Sequence, residues 1–415
     1  MNRIAKAIAL LLTAACAATG CAVEEDETES AKGAVVSIPQ SPVKDKKFIG
    51  FCWAYATTDF LESEFIKANQ GRSLDLSEEA LGFFRIAEQL HEMVREAASA
   101  EAVVAEVSCE RLQGLTVLAR EGSSSRGGLD LAEVYGVIPE DVYSVKFVTD
   151  QDRTETFLGM KERLAALVSE KPLGAITIDD IMDKVIVRPE GSATRPSRYR
   201  SRPPERFEHA GRTFTSAKDF YASYVRGAGT PLVRVPLTKR TDYPKFAWLV
   251  KHALAMHVSV PFGFGVDRNH LFDGDGYVTF TGKKSHGMAD AYGPKADPLK
   301  GPECSPKIMS EYAQGAHAVL ITDFVNEGGS EGALPDIAAV EREVSRPANE
   351  LAYVLVKNNW GVDTAGAEGE TSWLPSPDGY YRVDREYVQN SLAADVAMNI
   401  VVPKAVYEAL PRELR

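Results

Sequence analysis

Gly50-Phe51-Cys52-Trp53-Ala54-Tyr55-Ala56 is the most telling stretch of this 415-residue chain. From Trp53 onward the apolar residues fall at helical spacing. Trp53, Ala56 and Phe60 share one stripe, Leu61 and Phe65 widen it, and Asp59, Glu62 and Ser63 face away. Residues 42–50 read as a loop running into this helix. Cys52 therefore stands at a helix N-terminus, where the positive end of the helix dipole favours thiolate, the nucleophilic form. A cysteine in such a place also reads as a buried structural thiol, so its meaning depends on partners elsewhere in the chain.

Two later segments supply candidates. Gly315-Ala316-His317-Ala318-Val319-Leu320-Ile321 is a histidine opening an apolar run of strand length. Tyr353-Val354-Leu355-Val356-Lys357-Asn358-Asn359-Trp360-Gly361 is a strand that ends in an asparagine beside a tryptophan. A thiol, an imidazole to deprotonate it and an amide to orient the imidazole form a nucleophilic site, and Cys52, His317 and Asn358 occur in that order. With Pro42-Val43-Lys44 before the cysteine and Gly379-Tyr380-Tyr381-Arg382-Val383 after the asparagine, these blocks resemble the papain family of cysteine peptidases.

The resemblance implies an α+β, papain-like two-lobe fold. A helical lobe would carry Cys52, a barrel-like antiparallel sheet lobe would carry His317 and Asn358, and the active-site cleft would lie between them. It makes Trp53 and Trp360 supporting residues, with Trp360 shielding the His317–Asn358 hydrogen bond. It also implies that Gly127 and Gly128 let substrate backbone approach and pair as an added strand. Read without the family, that Gly-Gly is a turn before a helix. The family has a glutamine six residues before the cysteine that helps to stabilise the oxyanion; here that position is Lys46, a charged donor on a flexible stem. The segments 127–143 and 211–221 resemble the bleomycin hydrolase branch. That branch blocks part of its cleft with its chain end, whereas residues 404–415 here look too short to do so, which favours endopeptidase action.

Helices come first and strands later, an α+β order. Ser77 caps a second helix with Glu78 and Glu79 in its first turn and Leu81, Phe84, Leu90 and Val94 at helical spacing. Further helices are expected at 99–120 and 129–136, and strands at 258–264, 316–325, 351–357, 379–384 and 396–402. The peptidase domain is read as 38–403. His317 lies far beyond the ~130–150 residues that separate cysteine and histidine in papain-type chains, so an insertion is expected over about 144–250. Its run of Arg188, Arg195, Arg198, Arg200, Arg202 and Arg206 among prolines reads as a solvated loop or a docking strip for an acidic partner.

Composition is that of a globular domain, 44% hydrophobic and 26% charged, and a net charge of −12 excludes a general nucleic-acid binder. Residues 1–21 read as an export signal, with Arg3 and Lys6 ahead of a short apolar run. Ala18-Thr19-Gly20-Cys21 resembles a bacterial lipoprotein cleavage box with Cys21 lipidated, and residues 22–37 an acidic tether. Cys16 is a second candidate, and an ordinary secretory signal releasing a soluble periplasmic or secreted protein is the alternative. Cys109 and Cys304 then form a disulfide or remain buried thiols. No CxxC or HxxxH spacing suggests a metal site, and Asp273-Gly274-Asp275-Gly276 lacks the further ligands of a calcium loop. No cofactor is expected. The expected partner is a peptide or protein substrate, with membrane contact only through the lipid. The alternative is a papain-fold surface protein that binds peptides or a partner with little or no cleavage, a reading that Lys46 favours.

Overall fold

Two hydrophobic cores organise the computed structural model, one built on helices and the other on a sheet. The structure describes residues 37–46, 50–99, 125–145, 150–186, 202–226, 230–266, 277–278, 315–329, 334, 336–359, 361, 378–393 and 398–415. Cys21, Cys109, Cys304, Trp360 and the segment 99–120 beyond Ser99 lie outside them.

The helical core centres on α1 (Cys52–Ala68), which is buried on every side along most of its length. That corrects the expectation that Asp59, Glu62 and Ser63 face away. One flank of α1 meets the sheet, and the other is covered by the arm at residues 37–46 and by α2 (Glu78–Ser99). Its polar residues are therefore enclosed and matched. Asp59 Oδ1 lies 2.5 Å from Lys357 Nζ, Glu62 Oε1 lies 2.8 Å from Lys44 Nζ, and Ser63 Oγ donates to Pro39 O at 2.7 Å. Ser77 caps α2 as expected, accepting from Ala80 N–H at 3.3 Å. The acids of that first turn point inward: Glu78 bonds Lys44 at 2.5 Å and Glu79 accepts from Tyr55 Oη at 3.0 Å. Burial opposes the charge on Lys44, but Glu62, Glu78 and Asp75 outweigh it and hold its pKa well above the usual lysine value. The same burial raises Glu78 well above the carboxylate range despite Lys44.

Two glycines let helices close on this core. Phe51, the residue before α1, lays its ring where a side chain at Gly82 of α2 would sit, and packs edge-on against Trp53 and Phe83. α3 (Ser125–Tyr135) crosses α1 where Gly128 meets Thr57. The helix expected at 129–136 thus begins earlier and takes in both Gly127 and Gly128.

The sheet core holds a seven-stranded sheet in the order β3-β9-β4-β6-β7-β8-β5. Its strands are β3 (Leu232–Leu237), β4 (Val260–Val266), β5 (Tyr277–Val278), β6 (Gly315–Asn326), β7 (Leu351–Lys357), β8 (Tyr380–Asp384) and β9 (Met398–Pro403). All pairings are antiparallel except β5 with β8. The four strands after β5 agree with the sequence expectation to within two residues at each end. The sheet stays open, so the barrel-like closure expected for this lobe is not formed among the described residues. A helix at Tyr243–Ala255, apolar on most of its surface, packs in the same core.

Of the segment expected as an insertion, the stretch 232–255 supplies β3 and this core helix. What precedes it contains α4 (Asp150–Glu170), α5 (Ile178–Lys184) and a hairpin, β1 (Phe207–His209) with β2 (Arg212–Phe214). Phe207, Phe214, Phe220 and Tyr224 pack together around that hairpin. Of the arginine run, Arg202 binds Asp179 and Asp183 of α5 at 2.8 and 3.2 Å.

A methyl group at Gly128 would overlap Thr57 Oγ1, and Thr57 is itself buried and bonded to Trp53 O at 2.7 Å. Gly128→Ala is therefore expected to destabilise the fold by about 1–3 kcal/mol in denaturant unfolding, through overpacking. Thr57→Ala in the same chain should recover part of the loss. A Gly128→Ala protein as stable as wild type would show that α1 and α3 are not in close contact.

Candidate active site

Three elements bring the nominated residues to one place. Cys52 is the first residue of α1, is buried and forms no disulfide. His317 is on β6, registered opposite Phe264 of β4, and is also buried. Asn358 follows the last residue of β7, its N–H held by Gly379 O at 3.0 Å.

His317 Nε2 lies 2.7 Å from Asn358 Oδ1. That oxygen also accepts from Asn359 N–H at 2.9 Å, which settles which end of the Asn358 amide faces the ring. An amide oxygen cannot donate, so Nε2 carries the hydrogen, and Nδ1 of the neutral ring is left as the basic nitrogen. Burial holds the His317 pKa down, from 6.5 to about 3, against the Asn358 bond, which raises it; the positive charge of Lys46 lowers it further. The imidazole is therefore neutral unless a negative charge forms beside it.

Lys46 is half-buried, and its N–H donates to Asn359 O at 3.0 Å. Gly361 N–H in turn donates to Lys44 O at 3.2 Å. The arm leading to α1 is thus stitched to the loop that carries Asn358, and the charge of Lys46 falls on the histidine. Gln40, a glutamine further upstream in the arm, does not take the oxyanion place: its Nε2 donates to Ser63 Oγ at 3.2 Å, far along α1 from Cys52.

The other nominated residues separate. Trp53 is fully buried and serves the helical core. Gly127 and Gly128 are helical and so do not form an extended edge here, and the small size of Gly128, buried against Thr57, serves helix packing. The helix begins at Ser125, which puts the pair in its first turn.

Asn359 was missed by sequence reasoning. Its Nδ2 donates to Cys52 O and to Ala318 O, each at 3.2 Å. One nitrogen thus spans the residue that opens α1 and the residue after His317. The only signal in the sequence was the doubled amide Asn358-Asn359.

No protein-family model and no curated sequence matches the chain. Among solved structures it is similar to PepW from Lactobacillus rhamnosis HN001, at 13% identity over 93% of this chain and 84% of that one, with a TM-score of 0.52. It is also similar to xylellain, a cysteine protease from Xylella fastidiosa, at 16% identity over 92% of this chain and 90% of that one, with a TM-score of 0.41. At such identities the likeness speaks for fold alone. The mixed helix and antiparallel-sheet architecture is papain-like, the fold class expected from the sequence.

The electrostatics of His317 give a signed prediction. Lys46→Met in a Cys52→Ala chain removes a positive charge that disfavours imidazolium. The His317 pKa should rise from about 3 and stay below 6.5, because the ring remains buried. Because the folded pKa lies below the unfolded one, the unfolded chain protonates first, and the stability that His317 allows is lost as pH falls from 6.5 toward 3. Lys46→Met should narrow that window. Ring-proton NMR titration measures the shift, and an unmoved His317 would remove Lys46 from its surroundings.

Proposed function

We propose that the chain is a cysteine peptidase that hydrolyses peptide bonds through a Cys52–His317–Asn358 triad. The observation that carries this reading is the 2.7 Å His317–Asn358 bond, on a ring whose remaining nitrogen is basic and whose strand is tied to Cys52. In the first step the Cys52 proton passes to His317 Nδ1, and the Sγ electron pair attacks the scissile carbonyl carbon. As the tetrahedral adduct collapses, the C–N bond breaks and the imidazolium protonates the leaving amine, which leaves a thioester on Cys52. His317 then takes a proton from water, hydroxide attacks the thioester, and the thiol is restored as the acid leaves. Asn358 keeps the ring in the tautomer this sequence needs. Burial that disfavours an isolated imidazolium favours one paired with a thiolate, so the two charges form together.

Oxyanion stabilisation falls to the Cys52 N–H and the Lys46 ammonium. Residues 404–415 support endopeptidase action. They pack against β3 and the Tyr243–Ala255 helix, with Lys404 N–H on Pro231 O at 2.7 Å, at the sheet edge away from β6. Kinship with the bleomycin hydrolase branch rests on the segments 127–143 and 211–221 alone. A second reading, a papain-fold protein that binds peptides without efficient cleavage, draws on Lys46, whose charge opposes protonation of His317.

N-terminally blocked peptides should be cut internally by wild type, and Cys52→Ala should abolish cleavage without changing thermal stability. Lys46→Ala should lower kcat by about 10²–10³, the loss expected for one oxyanion donor. Full activity in Cys52→Ala would end the peptidase reading, and strict dependence on a free substrate amine would replace endopeptidase by aminopeptidase action. Binding of peptides without turnover by wild type would favour the second reading.

We further propose export with a lipid on Cys21, supported by the cleavage-box pattern and the acidic residues after it. Among the described residues no helix is long and apolar enough to cross a membrane. Cys21→Ser should shift the protein from the membrane fraction to the soluble one or leave it unprocessed; identical soluble export of both forms would favour the ordinary secretory signal.

A further inference from the structure

The geometry points to Asn359 as a positioning residue that sets the relative placement of Cys52, His317 and Asn358. This inference rests on the peptidase reading for its kinetic consequences, though not for its geometry. Three contacts carry it. The N–H of Asn359 bonds Asn358 Oδ1 at 2.9 Å and so decides which face of that amide meets His317. Its Nδ2 donates at 3.2 Å to the carbonyl of Cys52, at the mouth of α1. The same Nδ2 donates at 3.2 Å to the carbonyl of Ala318, the residue after His317. Its own carbonyl accepts from Lys46 N–H at 3.0 Å, which adds the arm carrying the oxyanion candidate. One fully buried residue therefore touches every segment of the site and no reacting atom.

The chemistry of the side chain fits that role. An amide NH2 has two hydrogens and can serve two carbonyls on separate elements at once, which a hydroxyl cannot. The assignment of the amide is unambiguous, because both partners are carbonyl oxygens and only Nδ2 can donate to them. Among the described residues, Asn359 Oδ1 is buried without a hydrogen-bond partner. Such an orphan acceptor is unfavourable in a protein interior. A position that served packing alone would lose nothing by giving it up, whereas a clamp needs the nitrogen on the same group. The two carbonyls lie on α1 and β6, elements whose relative distance sets how the thiol meets the imidazole. Without the clamp the pair can drift, and a displacement of about 1 Å costs on the order of 10²-fold in rate.

Two readouts on the full chain test this, one independent of catalysis. Ring 15N chemical shifts of His317 report its tautomer, and the pH dependence of Cys52 alkylation by iodoacetamide reports thiolate formation. Wild type should show the Nε2–H tautomer and alkylation persisting well below the ~8.5 of an ordinary thiol. Asn359→Ala keeps the backbone N–H on Asn358 Oδ1 and with it the Nε2–H tautomer, but should shift the ring 15N resonances, move the alkylation inflection upward and lower kcat about 10–100-fold with KM little changed. Asn359→Asp, the same shape with acceptors in place of donors, should do at least as much. Asn359→Ser, able to restore one of the two bonds, should fall between wild type and Asn359→Ala and guards against simple loss of folding. Unmoved ring resonances and a wild-type alkylation profile in folded Asn359→Ala overturn the inference, as does a kcat loss that only follows the unfolded fraction. If wild-type Cys52 alkylates like an ordinary thiol while Asn359→Ala still shifts the His317 ring resonances, the clamp stands and the peptidase reading falls.

Discussion

A single buried ion pair, Asp59 with Lys357, fixes the site to both halves of the protein. Asp59 lies two helical turns along α1 from Cys52, and Lys357 immediately precedes Asn358. Lys357 Nζ also bonds Ser41 Oγ at 2.9 Å, so the arm leading to the helix is caught in the same contact. Both charges are almost wholly removed from water. Losing one partner of such a pair leaves the other buried and uncompensated, at about 3–5 kcal/mol. Its net contribution to stability against an apolar replacement is small by the same reasoning. What it contributes is register, because a charge buried on α1 is satisfied only where Lys357 can reach it. Lys44, held by Glu62, Glu78 and Asp75, repeats the device between the arm, α1 and α2.

The site adds weaker and more local bonds to this frame. The ion pair sets which turn of α1 faces the end of β7, and the Asn359 amide adds a second tie, from the residue after Asn358 to the carbonyls of Cys52 and Ala318. The tautomer of His317 follows from a backbone N–H, a group that no side-chain substitution can delete. Lys46 works in the opposite sense: its charge makes imidazolium at His317 less favourable.

What was legible in the sequence was local. Helical spacing after Cys52, the apolar run after His317 and the strand before Asn358 are read from neighbours within a few residues, and the structure places all three as expected. The inward turn of Asp59 and Glu62 was illegible because their partners lie far along the chain, Lys357 being 298 residues from Asp59. A charge pattern on one helix cannot say that a lysine on a distant strand will cover it. Gly127-Gly128 misled for a related reason. The absence of a side chain announces a close approach without naming what approaches, and here it is Thr57. β3 was not anticipated because it is an edge strand with mixed exposure, weakly patterned in isolation, and becomes a strand through its pairing with β9.

The enclosure of α1 has a consequence for motion. Local opening in proteins draws on segments with few buried contacts and solvent-exposed backbone bonds. The helix that begins at Cys52 has neither, since it is surrounded by the arm, α2, α3 and the sheet. The thiol therefore has no soft route of its own. It cannot swing, fray or be uncovered by a passing fluctuation while the rest of the molecule stays intact. Its environment persists until the whole cooperative unit gives way, and the backbone amides beyond the first turn of α1 should exchange with solvent only on the timescale of that event. Any adaptation to different partners must then come from the surfaces that face Cys52, because the residue itself is anchored as firmly as the core.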